Sequence, residues 1–257
     1  MDFQEYLQEL ADASVGLKVS QLVRLSAMSR ERAGEFARVW PRLAVKRRRQ
    51  VVRELADLAE DNVELNFDAA FMSALTDADA EVRLDAVRGL WEYEGADLIG
   101  PLLRMMEADE NPVVRAEAAL ALGRFVLLAH YGKLRDRYAE RLEAALRRVV
   151  EKADEVEEVR GRALEAVAPL NGAWVRQAIR EAYESGTQQQ KVSAVHAMGR
   201  SCEGRWLPLL LRELASDDPE VRYEAAVACG SLGDERAVPP LATLLEETDS
   251  EVKGAAI

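Results

Sequence analysis

The chain has 257 residues, of which 49% are apolar and 31% charged, and its formal net charge is −12. Because its apolar runs fall far short of the roughly 20 residues that cross a bilayer, and its N-terminus is acidic, we expect neither a membrane span nor a signal peptide. The two cysteines, Cys202 and Cys229, have no paired spacing. Unpaired cysteines of this kind predict a cytoplasmic protein with reduced thiols.

The first segment, residues 1–40, contains no repeat and is predicted to form an N-terminal helical cap. Charge is concentrated nearby, because residues 17–53 hold eleven Lys or Arg and two Glu, whereas residues 54–80 hold eight acids and no base. We expect the two blocks to lie on adjacent helices and neutralise each other. In the alternative, phosphate groups of a nucleic acid would bind this block. That alternative basic patch comprises Lys46, Arg47, Arg48, Arg49 and Arg53.

Residues 41–257 contain one pattern seven times, with spacings of 35, 32, 45, 31, 31 and 31 residues. The copies start at Arg47, Val82, Val114, Val159, Gln190, Val221 and Val252. The residue four positions later is small or β-branched in every copy, namely Val51, Ala86, Ala118, Ala163, Ala194, Ala225 and Ala256. A period near 31 residues with fixed apolar and small positions is typical of a stacked helical-repeat array.

One unit, residues 205–233, shows the arrangement most clearly. Its first helix carries Pro208 in the first turn, where the missing N–H costs little, and an acidic turn follows. In the second helix, Val221, Ala225 and Ala228 recur at spacings of four and three, which places them on one face. We expect this face to pack closely on the next unit.

A basic residue follows each start, and an acid precedes most starts in the turn. The basic residues are Arg48, Arg83, Arg115, Arg160, Lys191, Arg222 and Lys253. The acids are Asp79, Asp109, Asp154, Asp217 and Asp249. We therefore expect Asp–Arg links across the turns or between units, and not a ladder of phosphate contacts.

These motifs, Leu-x-Pro-Leu-Leu, an acidic turn and Val-Arg-x-x-Ala-Ala-x-Ala-x-Gly, resemble the HEAT repeat. The variant they resemble is the short form named after phycobilisome lyases. The resemblance implies an all-α fold, a right-handed α-solenoid of stacked antiparallel helix pairs with about six to seven repeats. It also implies that the second helix of each pair lines a concave face.

The outward positions of those second helices form a predicted partner-binding ridge. Its residues are Asp85, Arg88, Glu117, Arg162, Glu165, His196 and Tyr223. Leu84, Leu120, Val192 and Glu224 are the other outward positions we predict. A surface that mixes charge with His and Tyr indicates recognition of a protein or peptide, and it includes no catalytic set.

Two irregularities interrupt the period. The spacing of 45 residues adds a segment around Tyr131, with Gly132 at its turn, so we expect both flanking helices to lengthen and project from one edge. The pattern ends at Ile257, only five residues after Val252. We therefore expect the last repeat to be incomplete and the chain to be part of a longer protein.

The sequence contains few motifs that indicate catalysis or ligand binding. The only histidines, His130 and His196, fall in different repeats, and the sequence has no phosphate-binding glycine loop or nucleophile elbow. We predict a non-enzymatic scaffold without metal or cofactor. Two alternatives stay open: a protein that handles tetrapyrroles, which the resemblance to phycobilin lyases implies, and nucleic-acid binding through the basic patch.

Overall fold

The computed structural model describes residues 2–246 and 249–257, and within those ranges the chain forms α-helices and short 3₁₀ segments without a β-strand. The α-helices are α1 (Phe3–Ala11), α2 (Arg30–Val39), α3 (Val45–Asp61), α4 (Asp68–Ala74), α5 (Ala80–Gly89), α6 (Ile99–Ala108), α7 (Pro112–His130), α8 (Asp136–Glu151), α9 (Glu157–Val167), α10 (Ala173–Ser185), α11 (Gln188–Arg200), α12 (Leu207–Glu213), α13 (Pro219–Leu232), α14 (Val238–Leu244) and α15 (Ser250–Ala255). The predicted all-α solenoid is confirmed.

From α4 onward the chain alternates between a first and a second helix, and α4/α5, α6/α7, α8/α9, α10/α11 and α12/α13 pack as pairs. The second helices α3, α5, α7, α9, α11, α13 and α15 also pack on one another in order. The first helices touch one another much less. The second helices therefore form the inner layer of the curved array, and their outward surface is called the inner face below.

The N-terminal segment covers the first end of this array. Helix α2 packs on α1 and α4, and the 3₁₀ segment Val19–Leu25 packs on α3. The Trp40 indole N–H donates to Asp77 Oδ2 at 2.7 Å and so joins this segment to the turn before α5. The boundary of the cap at residue 40 stays a prediction.

Local sequence sets where the helices begin. Asp79, Asp218 and Asp249 are N-caps whose carboxylates accept hydrogen bonds from the first free backbone N–H groups of α5, α13 and α15. Pro208 lies in the first turn of α12, as expected, because that position has no helical acceptor for an N–H. In these three turns, an acid that follows one helix therefore caps the next helix.

Small side chains let the second helices approach closely. The repeated small or β-branched positions Val51, Ala86, Ala118, Ala163, Ala194 and Ala225 are all fully buried. Glycine occupies a still tighter position on α11, where a Cβ built on Gly199 would lie 2.7 Å from the Cα of Ala228 on α13. The predicted packing face is confirmed, and its fit leaves no room for added atoms.

The recurring basic residues link neighbouring units. Arg83 donates from Nη1 to the Asp77 carbonyl in its own turn at 2.7 Å, and from Nη2 to the Asp109 carboxylate of the next turn at 2.7 Å. Arg115 repeats this with the Asp109 carbonyl at 2.7 Å and the Glu155 carboxylate at 2.6 Å. The expected Asp–Arg link between units is confirmed for Arg83 and Asp109, whereas Arg115 pairs with Glu155 and not with Asp154. Arg160 donates to the Val150 carbonyl, and Lys191 pairs with Glu213.

These contacts lower the pKa values of Asp109 and Glu155. Burial alone would raise the pKa of Asp109, but its hydrogen bonds and the nearby Arg83 and Arg115 guanidinium groups outweigh burial and lower it. The pKa of Glu155 is lowered by the same balance, with Arg115 and Lys152 as its partners. Arg83–Asp109 and Arg115–Glu155 are therefore charged contacts across two successive boundaries, α5 to α7 and α7 to α9.

The long spacing between the third and fourth copies lengthens two helices. Helix α7 has 19 residues and α8 has 16, whereas α5 and α6 have 10 each. Gly132 forms the turn between α7 and α8 with a left-handed φ of 67°. The neighbouring Tyr131 is 66% exposed, so the turn projects from the array as expected.

The close approach at Gly199 generates a prediction with an internal control. Gly199→Ala should lower the free energy of unfolding by roughly 1–3 kcal/mol, because the new methyl group meets the backbone of α13. Gly230→Ala in α13 has open space around its Cβ and should raise that free energy by up to about 1 kcal/mol through helix propensity. Urea unfolding measures both changes, and the same sign in both variants would contradict the packing described.

A second prediction compares two arginines on α5. Arg83→Met removes the partner of Asp109, whose side chain is only 6% exposed, and should cost about 3 kcal/mol in unfolding free energy. Arg88→Met breaks a pair in which the arginine side chain is 55% exposed, and should cost less than about 1 kcal/mol. Equal losses in thermal or urea unfolding would show that the recurring arginine does not join the units.

Candidate partner-binding face

The predicted ridge lies on five consecutive second helices. Asp85 and Arg88 are on α5, Glu117 is on α7, Arg162 and Glu165 are on α9, His196 is on α11, and Tyr223 is on α13. Because these helices stack in order, the array brings the seven residues onto one side of the molecule. Whether a partner binds them is the subject of the proposal below.

Ion pairs connect most of the ridge to itself or to its neighbours. Arg88 Nε lies 2.9 Å from Glu117 Oε2, which links α5 to α7, and Arg53 Nε lies 3.3 Å from Asp85 Oδ2, which links α3 to α5. Within α9, Arg162 Nη1 lies 2.8 Å from Glu165 Oε2. These charges compensate one another, so the row has little net charge available to a partner.

His196 extends this row from α11 to α13. Its Nδ1 lies 2.8 Å from Glu224 Oε2. Burial alone would lower the pKa of His196, but the hydrogen bond to Glu224 and the negative charges of Glu165 and Glu224 outweigh burial and raise it. The folded protein therefore keeps His196 protonated to a higher pH than an unperturbed histidine.

Two residues expected to point outward are buried. Glu165 is 4% exposed and Val192 is 5% exposed, so the expectation was wrong for both. Helix α9 packs tightly against both α7 and α11. This packing leaves α9 and α11 few positions that are open to solvent. Glu165 is tolerated there because Arg162 pairs with it.

Between the paired charges the inner face contains a concave site of about 430 Å³, bounded by α5, α7, α9 and α11. We call it the inner hollow and define it by Trp91, Leu120, Arg124, Leu127 and Arg200. Trp91 is 66% exposed, Leu120 43% and Leu127 36%, which is unusual for large apolar side chains close together. Apolar surface and cations therefore meet at one point of the inner face.

Sequence reasoning named only Leu120 among these five residues. Trp91 follows the end of α5 and lies outside the helical period. Arg124 directly follows the last position of the repeat motif, and Leu127 lies on the additional turns of α7, so the repeat pattern assigns a direction to neither side chain. The spacing of 45 residues is the signal in the sequence for the additional turns of α7.

The basic patch is largely neutralised, as expected. Arg48 pairs with Asp77 at 2.8 Å, and Arg49 pairs with Asp79 at 2.6 Å and with Glu81 at 2.7 Å. Arg53 also pairs with Glu81 and with Asp85. Arg47 donates a hydrogen bond to the Leu10 carbonyl. Lys46 is exposed.

A larger cleft, of about 580 Å³, opens on the outer side between α8 and α10. The Trp174 indole N–H donates to Glu143 at 2.8 Å there, and the Arg147 guanidinium lies 5.3 Å from the Trp174 ring while pairing with Glu151 at 2.7 Å. Its main polar groups therefore already have partners within the protein. For this reason the inner hollow is the better candidate for a binding site.

Within the described ranges, no group of three or more His, Cys, Asp or Glu side chains is arranged to hold a metal ion. None of the described helices combines the length and apolar character that crossing a membrane requires. Cys202 and Cys229 are both free thiols, and burial raises the pKa of Cys229 to about 11. Cys229 therefore behaves as a core side chain.

The stacked pairs, acidic turns and linking arginines define a class of protein. The sequence model of the HEAT repeats matches residues 69–168 and 175–257. The chain belongs to the HEAT-repeat family.

Two solved structures share this fold. The complex of CpcE and CpcF of phycocyanin lyase from Nostoc sp. has a TM-score of 0.59 and 18% identity, over 96% of this chain and 88% of that chain. The Escherichia coli protein YibA has a TM-score of 0.51 and 19% identity, over 80% of this chain and 71% of that chain. At such identities the likeness concerns the fold alone. No curated protein sequence matches this chain.

The His196–Glu224 pair predicts a pH dependence. A raised folded-state pKa contributes stability that is fully present below the unfolded pKa and is lost as the pH rises through the folded value. The unfolding free energy of the wild type should therefore exceed that of Glu224→Gln by more in mild acid than in alkali.

NMR titration of the imidazole gives the direct measurement. In a His130→Gln background only one histidine signal remains, and its pKa should fall when Glu224→Gln is added. An unchanged pKa, or a stability difference that grows with pH, would contradict the pairing.

Proposed function

We propose that this protein is a non-enzymatic scaffold whose inner face binds a segment of a partner protein. The observation that carries the proposal is the inner hollow, where Trp91, Leu120 and Leu127 are exposed side by side within a concave surface. Clustered exposed apolar side chains of this kind are typical of interaction sites. Tryptophan and arginine, both present here, are the residue types most often found as binding hot spots.

The ridge extends this surface along the array. On α13, Tyr223 and Val227 are each 37% exposed, so a second apolar contact lies beyond the ion pairs. A partner segment would contact the hollow and Tyr223, with the paired charges between them. Because Arg88, Glu117 and His196 already have partners, we expect them to orient the segment more than to add affinity.

The test begins with the partner captured from an extract of the source cell and then purified. Trp91→Ala should weaken its binding at least tenfold, or about 1.4 kcal/mol, in calorimetry. The melting temperature of the Trp91→Ala variant should change little. The Trp91 side chain is largely exposed, and only the backbone carbonyl of residue 91 accepts the hydrogen bond from Arg124.

Val63→Ser is the matched control, since Val63 is an apolar loop residue that is 94% exposed between α3 and α4, outside the hollow. Its partner affinity should equal that of the wild type. Equal affinities for wild type and Trp91→Ala would refute binding at the inner hollow. A loss that occurs with Tyr223→Ala alone would move the site to the α13 end of the ridge.

Tetrapyrrole handling is an alternative that the fold similarity to the CpcE and CpcF complex motivates. A bilin added to the protein would then develop a shifted absorption band, and Trp91→Ala or Trp174→Ala would remove it. With no shifted band at saturating bilin, this alternative fails and the non-enzymatic scaffold is favoured.

Nucleic-acid binding is the second alternative, through the basic patch. The pairing of Arg48, Arg49 and Arg53 with carboxylates weighs against it, as does the formal net charge of −12. A labelled DNA duplex should therefore bind weakly even at low salt. Tight binding that falls steeply with salt and with Lys46→Ala would support this alternative.

The cytoplasmic location inferred from cysteine use also stays a prediction.

A further inference from the structure

The two arginines of the inner hollow differ from the other charges of the inner face, because no carboxylate among the described residues pairs with either. Arg124 donates from Nη1 to the Trp91 carbonyl, while its Nε and Nη2 groups are buried without an acceptor. Its guanidinium lies 5.0 Å from the centre of the Phe125 ring. By contrast, Arg88 and Arg162 on the same face each pair with a glutamate.

Arg200 reaches the same place from another helix. It begins on α11, yet a Cβ built on Gly123 of α7 would lie 3.6 Å from its Nη2 atom, so its guanidinium lies over the floor of the hollow. The absence of a side chain at Gly123 leaves this space open. Two guanidinium groups from α7 and α11 thus line one largely apolar concavity. Glu117 and Glu165 also line it, but their charges are already paired with arginines of the inner face.

Burial makes this arrangement costly without an anion. Desolvation lowers the pKa of Arg124, and the charge of Glu94, which acts in the opposite direction, does not offset it. A carboxylate brought into the hollow would gain charge-assisted hydrogen bonds from the exposed Arg200 and would offset the buried charge of Arg124. Elsewhere the molecule has excess negative charge, so an acidic ligand is attracted at this point and repelled at most others.

We propose that the inner hollow recognises a partner segment in which an acidic side chain lies next to a large apolar one. The apolar side chain would contact Trp91, Leu120 and Leu127, and the carboxylate would accept hydrogen bonds from Arg200 and Arg124. The inference rests on the proposed function and adds the chemistry of the partner.

The test uses short synthetic peptides with blocked termini, in which leucine and phenylalanine alternate with aspartate. Matched peptides have asparagine or lysine in place of aspartate. Fluorescence anisotropy of labelled peptides should show that the aspartate peptide binds the wild type at least about tenfold tighter than the asparagine peptide. The lysine peptide should bind more weakly still.

Two variants test whether Arg200 and Arg124 cause the preference for the aspartate peptide. Arg200→Gln should remove the preference for aspartate and leave the affinity for the asparagine peptide unchanged. Arg180→Gln, at an exposed position on the outer helix α10, is the matched control and should keep the full preference. Arg124→Gln gives a second, independent variant, with its melting temperature measured alongside to confirm folding.

Equal binding of the aspartate and asparagine peptides would overturn the inference, as would the absence of binding by either. A preference that survives in both Arg200→Gln and Arg124→Gln would also overturn it, because the carboxylate would then bind elsewhere. These failures are distinct from failure of the proposed function. If the natural partner still depends on Trp91, the scaffold proposal stands and only the acidic chemistry is lost.

Discussion

The close stacking of second helices is the constraint on which the rest of the structure depends. Glycine and alanine let neighbouring backbones approach, and the chain from Arg83 through Asp109 and Arg115 to Glu155 fixes which residues meet. Each unit packs on its neighbours and has no separate core, so contacts between units supply both stability and register. Without that register the inner face would not exist as a surface, because each helix contributes only a few of its residues.

The inner hollow depends on this register, because residues from separate units meet there. Its defining residues are on the second helices α7 and α11 and in the loop after α5, and its two guanidinium groups start on α7 and α11. The extra turns of α7 supply Leu127 and follow directly on Arg124. The departure from the regular period therefore contributes Leu127 to a site where apolar surface meets arginines that no carboxylate of the described residues pairs with.

Much of the fold could be predicted from the sequence because its determinants are local or periodic. The buried faces followed from the spacing of residues such as Ala86 and Ala225, and the helix starts followed from acidic turns and from Pro208. The inner-face contacts could not be predicted equally well. Glu165 is buried because α9 packs between α7 and α11, and no single-helix period contains that information. Trp91 lies in a loop, where periodicity assigns no direction.

The most direct test of this account is a double-mutant cycle across the boundary where the period is broken. Arg115 and Glu155 are in contact at 2.6 Å although 40 residues separate them in the sequence. With Arg115→Met, Glu155→Gln and the double variant, urea unfolding should give a coupling free energy of at least about 1 kcal/mol. A coupling free energy near zero would contradict the claim that linking arginines hold the second helices in register.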